Sequence, residues 1–255
     1  MRIDVRRWKD LSKNEQEYFL ARSELDIQKI LPEIQDIIEK VKADKDSALR
    51  LFSHKLDKVD LSSLPLRIKD EEFEHAEKTL DPEVKNALDH AIRNVRKFHM
   101  SQIPAHGPLF EIQPGVLAGE RHTPIESVGL YVPHGRGSFP SMVYMQSIPA
   151  TLAGVKQIVM VTPPNSDGSI DPAVLYAAKE TGVHEVYRIG GPHAIAAMAY
   201  GTETIPKVDK LQGPGSMYVT AAKRLLIGQV DIGMPAGPSE SIILADKHAD
   251  PYTVA

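Results

Sequence analysis

Apolar residues recur every three to four positions through the first part of the chain, and from Val128 they gather instead into short continuous runs. The first pattern predicts helices. Ser12 is placed to cap one that follows a lead-in around Trp8 and continues through Phe19. In a second helix Ile30, Ile34, Ile37, Ile38 and Val41 share a face, with Pro32 near its start. In a third, Ala48, Leu49, Phe52 and Leu56 do the same. Asp81-Pro82 opens what reads as the longest helix, with Asp as the cap and Pro in the first turn. Val84, Leu88, Ala91, Ile92, Val95 and Phe98 make its apolar stripe, and it should end before Pro104. Phe110–Gln113 and Val116–Glu120 flank Pro114-Gly115 and predict a hairpin.

The second pattern predicts strands at Val128–Val132, Gln157–Thr162, Glu185–Ile189 and Val208–Leu211. Helices are predicted between and after them, at Ser141–Ala153, Asp171–Thr181, Ala194–Tyr200 and Met217–Ile227. Strands alternating with helices of this length predict an α/β fold, an open parallel sheet with helices on both faces. Between Val128 and Ser241 the corners resemble one another: Ile189-Gly-Gly-Pro-His193, Gln212-Gly-Pro-Gly-Ser216 and Ala236-Gly-Pro-Ser-Glu240. A more open version, Tyr131-Val-Pro-His-Gly-Arg-Gly-Ser138, precedes them. Backbone N–H groups left free at a helix start attract anions, so such turns along one sheet edge predict a site for a phosphate or carboxylate ligand. None has the Gly-x-Gly-x-x-Gly spacing, and any one alone is equally an ordinary strand-to-helix corner. The repetition carries the signal.

Composition narrows the chemistry. The 255 residues include 30 basic and 34 acidic ones, a net charge of −4 that favours no nucleic-acid partner. Cysteine is absent, which excludes disulfides, thiolate metal sites and a cysteine nucleophile. No apolar run is long enough to span a membrane, and no signal core follows Met1, so the expected location is the cytoplasm. His99, His106 and His122 lack ligand spacing and read as surface residues, while Lys223 and Arg224 fit the carboxyl end of a helix. Ser241–Asp246 is a further strand candidate, and Asp250-Pro251 repeats the helix-start signal where the sequence ends. The expectation is the N-terminal part of a longer protein.

A set of motifs, in this order, resembles the histidinol dehydrogenase family. They are Gly129-Leu-Tyr-Val-Pro133, Tyr187-Arg-Ile-Gly-Gly191 with Ala194-Ile-Ala-Ala197, and Tyr200-Gly-Thr-Glu-Thr-Ile-Pro-Lys-Val-Asp-Lys210. Gly213-Pro-Gly215 with Val219-Thr220 and Ala222-Lys-Arg224, then Met234-Pro-Ala-Gly-Pro-Ser-Glu240, complete it. The resemblance implies a zinc-containing, NAD-dependent homodimer that oxidises L-histidinol through L-histidinal to L-histidine, in histidine biosynthesis. It implies two Rossmann-like domains, both incomplete here. Residues 1–26 would be an N-terminal helical arm, 27–127 with 237–255 a first α/β domain, and 128–236 a second, NAD-binding one.

Carried over by position, Tyr131 matches a tyrosine that contacts NAD and Ser239 a serine that contacts substrate. His193 stands where the family has a glutamine and Ser216 where it has an asparagine, both NAD contacts. Each can hydrogen-bond, but neither presents an amide, which offers donor and acceptor together. His134 replaces a glycine, and Arg136 beside it is a candidate anion contact. The zinc ligands and the acid–base pair of the family match no residue of this chain, so no catalytic or metal-binding residue is assigned and the 255 residues alone should be inactive. Two other readings stay open: a paralogue that oxidises another small polar alcohol, and a non-catalytic nucleotide-binding module.

Overall fold

A computed structural model describes residues 6–21, 24–105, 107–134, 137–233 and 243–254. The first helix, α1 (Lys13–Ala21), starts on a reciprocal cap. Ser12 Oγ accepts from the Glu15 N–H at 3.3 Å while the Ser12 N–H donates to Glu15 Oε2 at 2.9 Å. The second and third predicted helices form one helical stretch, α2 (Glu24–Phe52), broken at Lys45, where φ is 50° and ψ −125°. Among the described residues this stretch, 29 residues including the break, is longer than the 19-residue helix after Asp81, and Pro32 lies inside it. A π-helical turn, Ser53–Asp57, follows directly. Then come α3 (Asp70–Thr79) and α4 (Pro82–Met100), the latter capped by Asp81, whose Oδ1 accepts from the Glu83 N–H at 2.7 Å. Strands β1 (Phe110–Gln113) and β2 (Val116–Ala118) pair antiparallel as the predicted hairpin.

The alternating region folds as predicted into β3 (Ser127–Tyr131), α5 (Pro140–Leu152), β4 (Gln157–Thr162), α6 (Pro172–Glu180), β5 (Glu185–Arg188), α7 (Gly191–Tyr200), β6 (Lys210–Gln212) and α8 (Met217–Leu225). All four strands are parallel, in the order β5-β4-β3-β6. The period of two sorts their side chains to opposite faces. Val128, Leu130, Met160 and Val186 join α3, α5 and α6 in one core, whereas Tyr131, Val159, Val161, Tyr187 and Leu211 join α2, α7 and α8 in the other. Between α2 and the sheet, α7 is buried from Pro192 to Ala199. At the start of the sheet Asp209 ties β6 to β3: its Oδ2 accepts from Ser127 N–H at 3.0 Å and from Ser127 Oγ at 2.7 Å.

Residues 66–68 run antiparallel along β5, with Ile68 N–H donating to Val186 at 2.8 Å and Arg188 N–H to Leu66 at 2.9 Å. The Arg188 side chain is buried and donates to Gly168 O at 2.7 Å and to both oxygens of Glu72, at 2.6 and 2.5 Å. This pair fixes α3 to the sheet. Of the strand predicted at Ser241–Asp246, residues 241–242 lie outside the described residues and 243–246 carry no regular structure. Asp250-Pro251 does open a helix, α9 (Pro251–Val254), with Asp250 Oδ1 accepting from Tyr252 N–H at 3.0 Å.

Candidate functional site

Strand order reverses its direction of growth between β3 and β6. From β3 the chain runs through α5 on one face of the sheet, and from β6 through α8 on the other. In open α/β sheets the carboxyl ends of two such strands diverge and leave a crevice for a ligand. Here that crevice is bounded by Tyr131, the last residue of β3, and by Gly213-Pro214-Gly215-Ser216 after β6. The two ends touch. Gly213 has φ of +118°, and a Cβ there would lie 2.1 Å from the Tyr131 carbonyl oxygen. Only glycine allows this approach.

Tyr131 also reaches a second turn. Its hydroxyl accepts from the Gly191 N–H at 3.1 Å, at the amino end of α7, which leaves its own proton to donate. The residue is only 5 % exposed, and burial, with a smaller contribution from Asp57, pushes the phenol up to about 12, against the opposing Gly191 bond. One residue therefore contacts both turns, one through its hydroxyl and the other through its carbonyl.

His193 lies beside Tyr131 around the same Gly191. Its ring is wholly buried, tilted at 40° against Phe52 with centroids 5.8 Å apart. Nε2 stands 3.4 Å from Asp57 Oδ2 on the π-helical turn, close enough for attraction but too poorly aligned for a hydrogen bond. Among the described residues neither ring nitrogen has a hydrogen-bond partner, nor do Asp57 Oδ2 and Ser53 Oγ. Asp57 carries no signal in the sequence. It enters the site only because α2 is laid across α7.

Ser216 sits on the other side of Tyr131, exposed at the amino end of α8, and its hydroxyl makes no capping bond. Lys223 sits in α8, and its ammonium donates to the carbonyl of Gly213. Burial brings that amine down to about 8. The helix dipole alone accounted for Lys223 in the sequence; in the fold it braces the turn at the crevice. Gln146 completes the floor, donating to the Tyr131 carbonyl at 3.3 Å while its own Oε1 is buried without a partner. A cavity of about 490 Å³ opens there between α5 and the β3–β6 edge, lined by Val128, Leu130, Gln146 and Gln212. His134 is described and half-buried at the end of β3; Ser239, Gly135, Arg136 and His106 lie outside the described residues.

These features fit a ligand with both anionic and hydroxyl groups. Amides of the first turn of α8 suit phosphate, and orphaned polar atoms beside α7 suit hydrogen-bonding hydroxyls. Among the described residues no three His, Cys, Asp or Glu side chains are grouped to hold a metal, and no helix is long and apolar enough to cross a membrane.

The family model described as histidinol dehydrogenase matches residues 20–255. A histidinol dehydrogenase of Synechocystis is 50 % identical over 234 residues, 92 % of this chain and 54 % of that protein. A histidinol dehydrogenase homolog of Colwellia psychrerythraea is 42 % identical over 254 residues, 100 % of this chain and 57 % of its own length. The crystal structure of histidinol dehydrogenase from Elizabethkingia anophelis superposes with a TM-score of 0.81 at 41 % identity, covering 88 % of this chain and 52 % of that one. The chain thus spans about half the length of the relatives it matches.

Proposed function

Because the chain belongs to the histidinol dehydrogenase family, we propose that the whole protein oxidises L-histidinol through L-histidinal to L-histidine with NAD, in histidine biosynthesis. The observation that carries this reading is the reversal of strand order between β3 and β6, with Tyr131 in contact with the turns of both α7 and α8. NAD, when bound, supplies the hydride acceptor. Tyr131 would donate a hydrogen bond from its hydroxyl to the cofactor, the amino end of α8 would hold its phosphates, and His193 and Ser216 would hydrogen-bond it. Ser239 would contact the substrate. Zinc and the acid–base pair would be held by residues outside this chain, which by itself would be inactive.

The same reading makes the working protein a cytoplasmic homodimer. Residues 1–26 would be its arm, and 128–236 its cofactor domain. Residues 27–127 and 237–255 would contribute to another α/β domain, while α2 also shelters the described sheet. A paralogue acting on another small polar alcohol is the second reading, supported by the amide positions now held by His193 and Ser216 and by relatives that are themselves named homologs.

One assay separates these. Full-length protein given NAD, zinc and L-histidinol should form NADH, while the 255-residue chain should bind NAD in a calorimetric titration and form none. Turnover of another amino alcohol but not of histidinol would select the paralogue. Zinc-dependent NADH formation by the purified 255-residue chain would overturn the assignment of roles, and cofactor binding without turnover of any alcohol by the full-length protein would leave the nucleotide-binding module.

A further inference from the structure

The cluster beneath the start of α7 holds more buried polarity than packing accounts for. Among the described residues His193 is wholly buried with both ring nitrogens unpartnered, and Asp57 Oδ2 and Ser53 Oγ add two more orphaned atoms. Each unsatisfied buried polar atom costs about 1–3 kcal/mol, so such atoms are rare in folded proteins and call for a specific partner. The geometry is asymmetric. Nε2 faces the Asp57 carboxylate at 3.4 Å, whereas Nδ1 faces the first residue of α7, where a Cβ on Gly191 would lie 3.2 Å from it. The Tyr131 hydroxyl meets the same residue from the sheet side.

A carboxylate only accepts hydrogen bonds, and a neutral imidazole has one donor and one acceptor. At 3.4 Å, with no hydrogen bond formed, the charge of the Asp57 carboxylate still favours the ring proton on Nε2, and Nδ1 is then an acceptor. Second partners of this kind commonly set the tautomer and orientation of a histidine that works through its other nitrogen. We propose that Asp57 is a positioning residue of the cofactor site, fixing the His193 proton on Nε2 so that Nδ1 accepts a hydrogen bond from a ribose-type hydroxyl at the amino end of α7. The proposal deepens the NAD reading above and rests on it. It also gives chemical content to the exchange of glutamine for histidine: an amide turns either end to its ligand, but His193 held by Asp57 offers an acceptor only.

The test combines a spectrum with a binding cycle. In a proton–nitrogen multiple-bond spectrum of the 255-residue chain, the His193 ring should show the Nε2–H tautomer, and Asp57→Asn should shift it toward a mixture. NAD titrations of the parent, Asp57→Asn, His193→Gln and the double variant follow. Asp57→Asn should weaken binding about tenfold in the parent and less than about twofold on the His193→Gln background, as expected of two residues acting as one unit. Asp57→Glu, which keeps the carboxylate, should recover most of the loss and serves as the second variant if Asp57→Asn melts early. An Nδ1–H tautomer in the parent, or an equal loss on both backgrounds, overturns the proposal. If the parent bound no NAD, the cofactor reading would fail and the ligand half of this inference with it. The tautomer shift would still decide the half that concerns Asp57 and His193.

Discussion

Replacing Gly213 by alanine tests whether the meeting of the two strand ends builds the crevice. The added methyl would start 2.1 Å from the Tyr131 carbonyl oxygen and 2.7 Å from Gln146 Oε1, so β6 or the end of β3 must move by about 1 Å to restore ordinary contact. A further penalty comes from φ of +118°, which a side chain disfavours at roughly 1–3 kcal/mol. Overpacking against a backbone atom adds about 1–3 kcal/mol. Together about 3 kcal/mol is a conservative expectation, equivalent to a melting point lower by roughly 6–12 °C in a chain of this size. Gly182→Ala is the control. Its φ is +81° but nothing lies within 4 Å of the new methyl, so only strain of about 1 kcal/mol, roughly 2–4 °C, applies. Thermal unfolding followed by circular dichroism compares them. Equal melting points for the two variants would refute the close approach of β3 and β6, and with it the geometry on which the site depends.

Two further outcomes concern acidic residues of α3, one paired to the sheet and the other to helices α4 and α6. Glu72→Gln leaves the buried Arg188 guanidinium with its Gly168 bond but no counter-charge; because Glu72 is itself about a third exposed, roughly 2 kcal/mol of stability should be lost rather than the 3–5 typical of a fully buried pair, read from the urea midpoint. Glu77 is held down to about 2, first by its hydrogen bonds to Lys179 and Lys85 and then by their charges. Its folded value lies below the unfolded one, so its contribution is complete above about 4.5 and disappears as pH falls toward 2. Glu77→Gln should therefore differ from the parent in unfolding midpoint at pH 6 and converge with it near pH 2, and a constant difference across that range would contradict the assignment.

Much of the fold was legible because each core face is written as a simple period. Ser127 to Tyr131 alternates its side chains between the two cores, and the Asp-Pro pairs at Asp81, Asp171 and Asp250 each start a helix as their chemistry requires. The departures arise where tertiary packing overrides local pattern. The break at Lys45 falls within a continuous run of helix-compatible residues, so nothing local distinguishes two helices in line from two that turn away. Arg188 reads in sequence as an ordinary strand end, and only the arrival of α3 gives its buried guanidinium a carboxylate partner.

The described Gly/Pro turns lie at the carboxyl ends of β5 and β6, but their glycines serve different ends. Gly213 lets two strand ends touch, while Gly190 leaves room for Pro163, whose Cγ would lie 2.3 Å from an added Cβ. The first brings α8 to the crevice; the second lets α7 start close against the end of β4. Tyr131 was singled out because the resemblance implies an NAD-contacting tyrosine at that position, where the turn begins. Asp57 was not, because its meeting with His193 depends on how α2 crosses α7, a relation between distant segments that no spacing encodes. Local sequence can thus specify which turns gather at one edge of the sheet. Which hydrogen-bonding end a side chain on such a turn presents is set by whatever is packed behind it, and behind His193 that is a carboxylate.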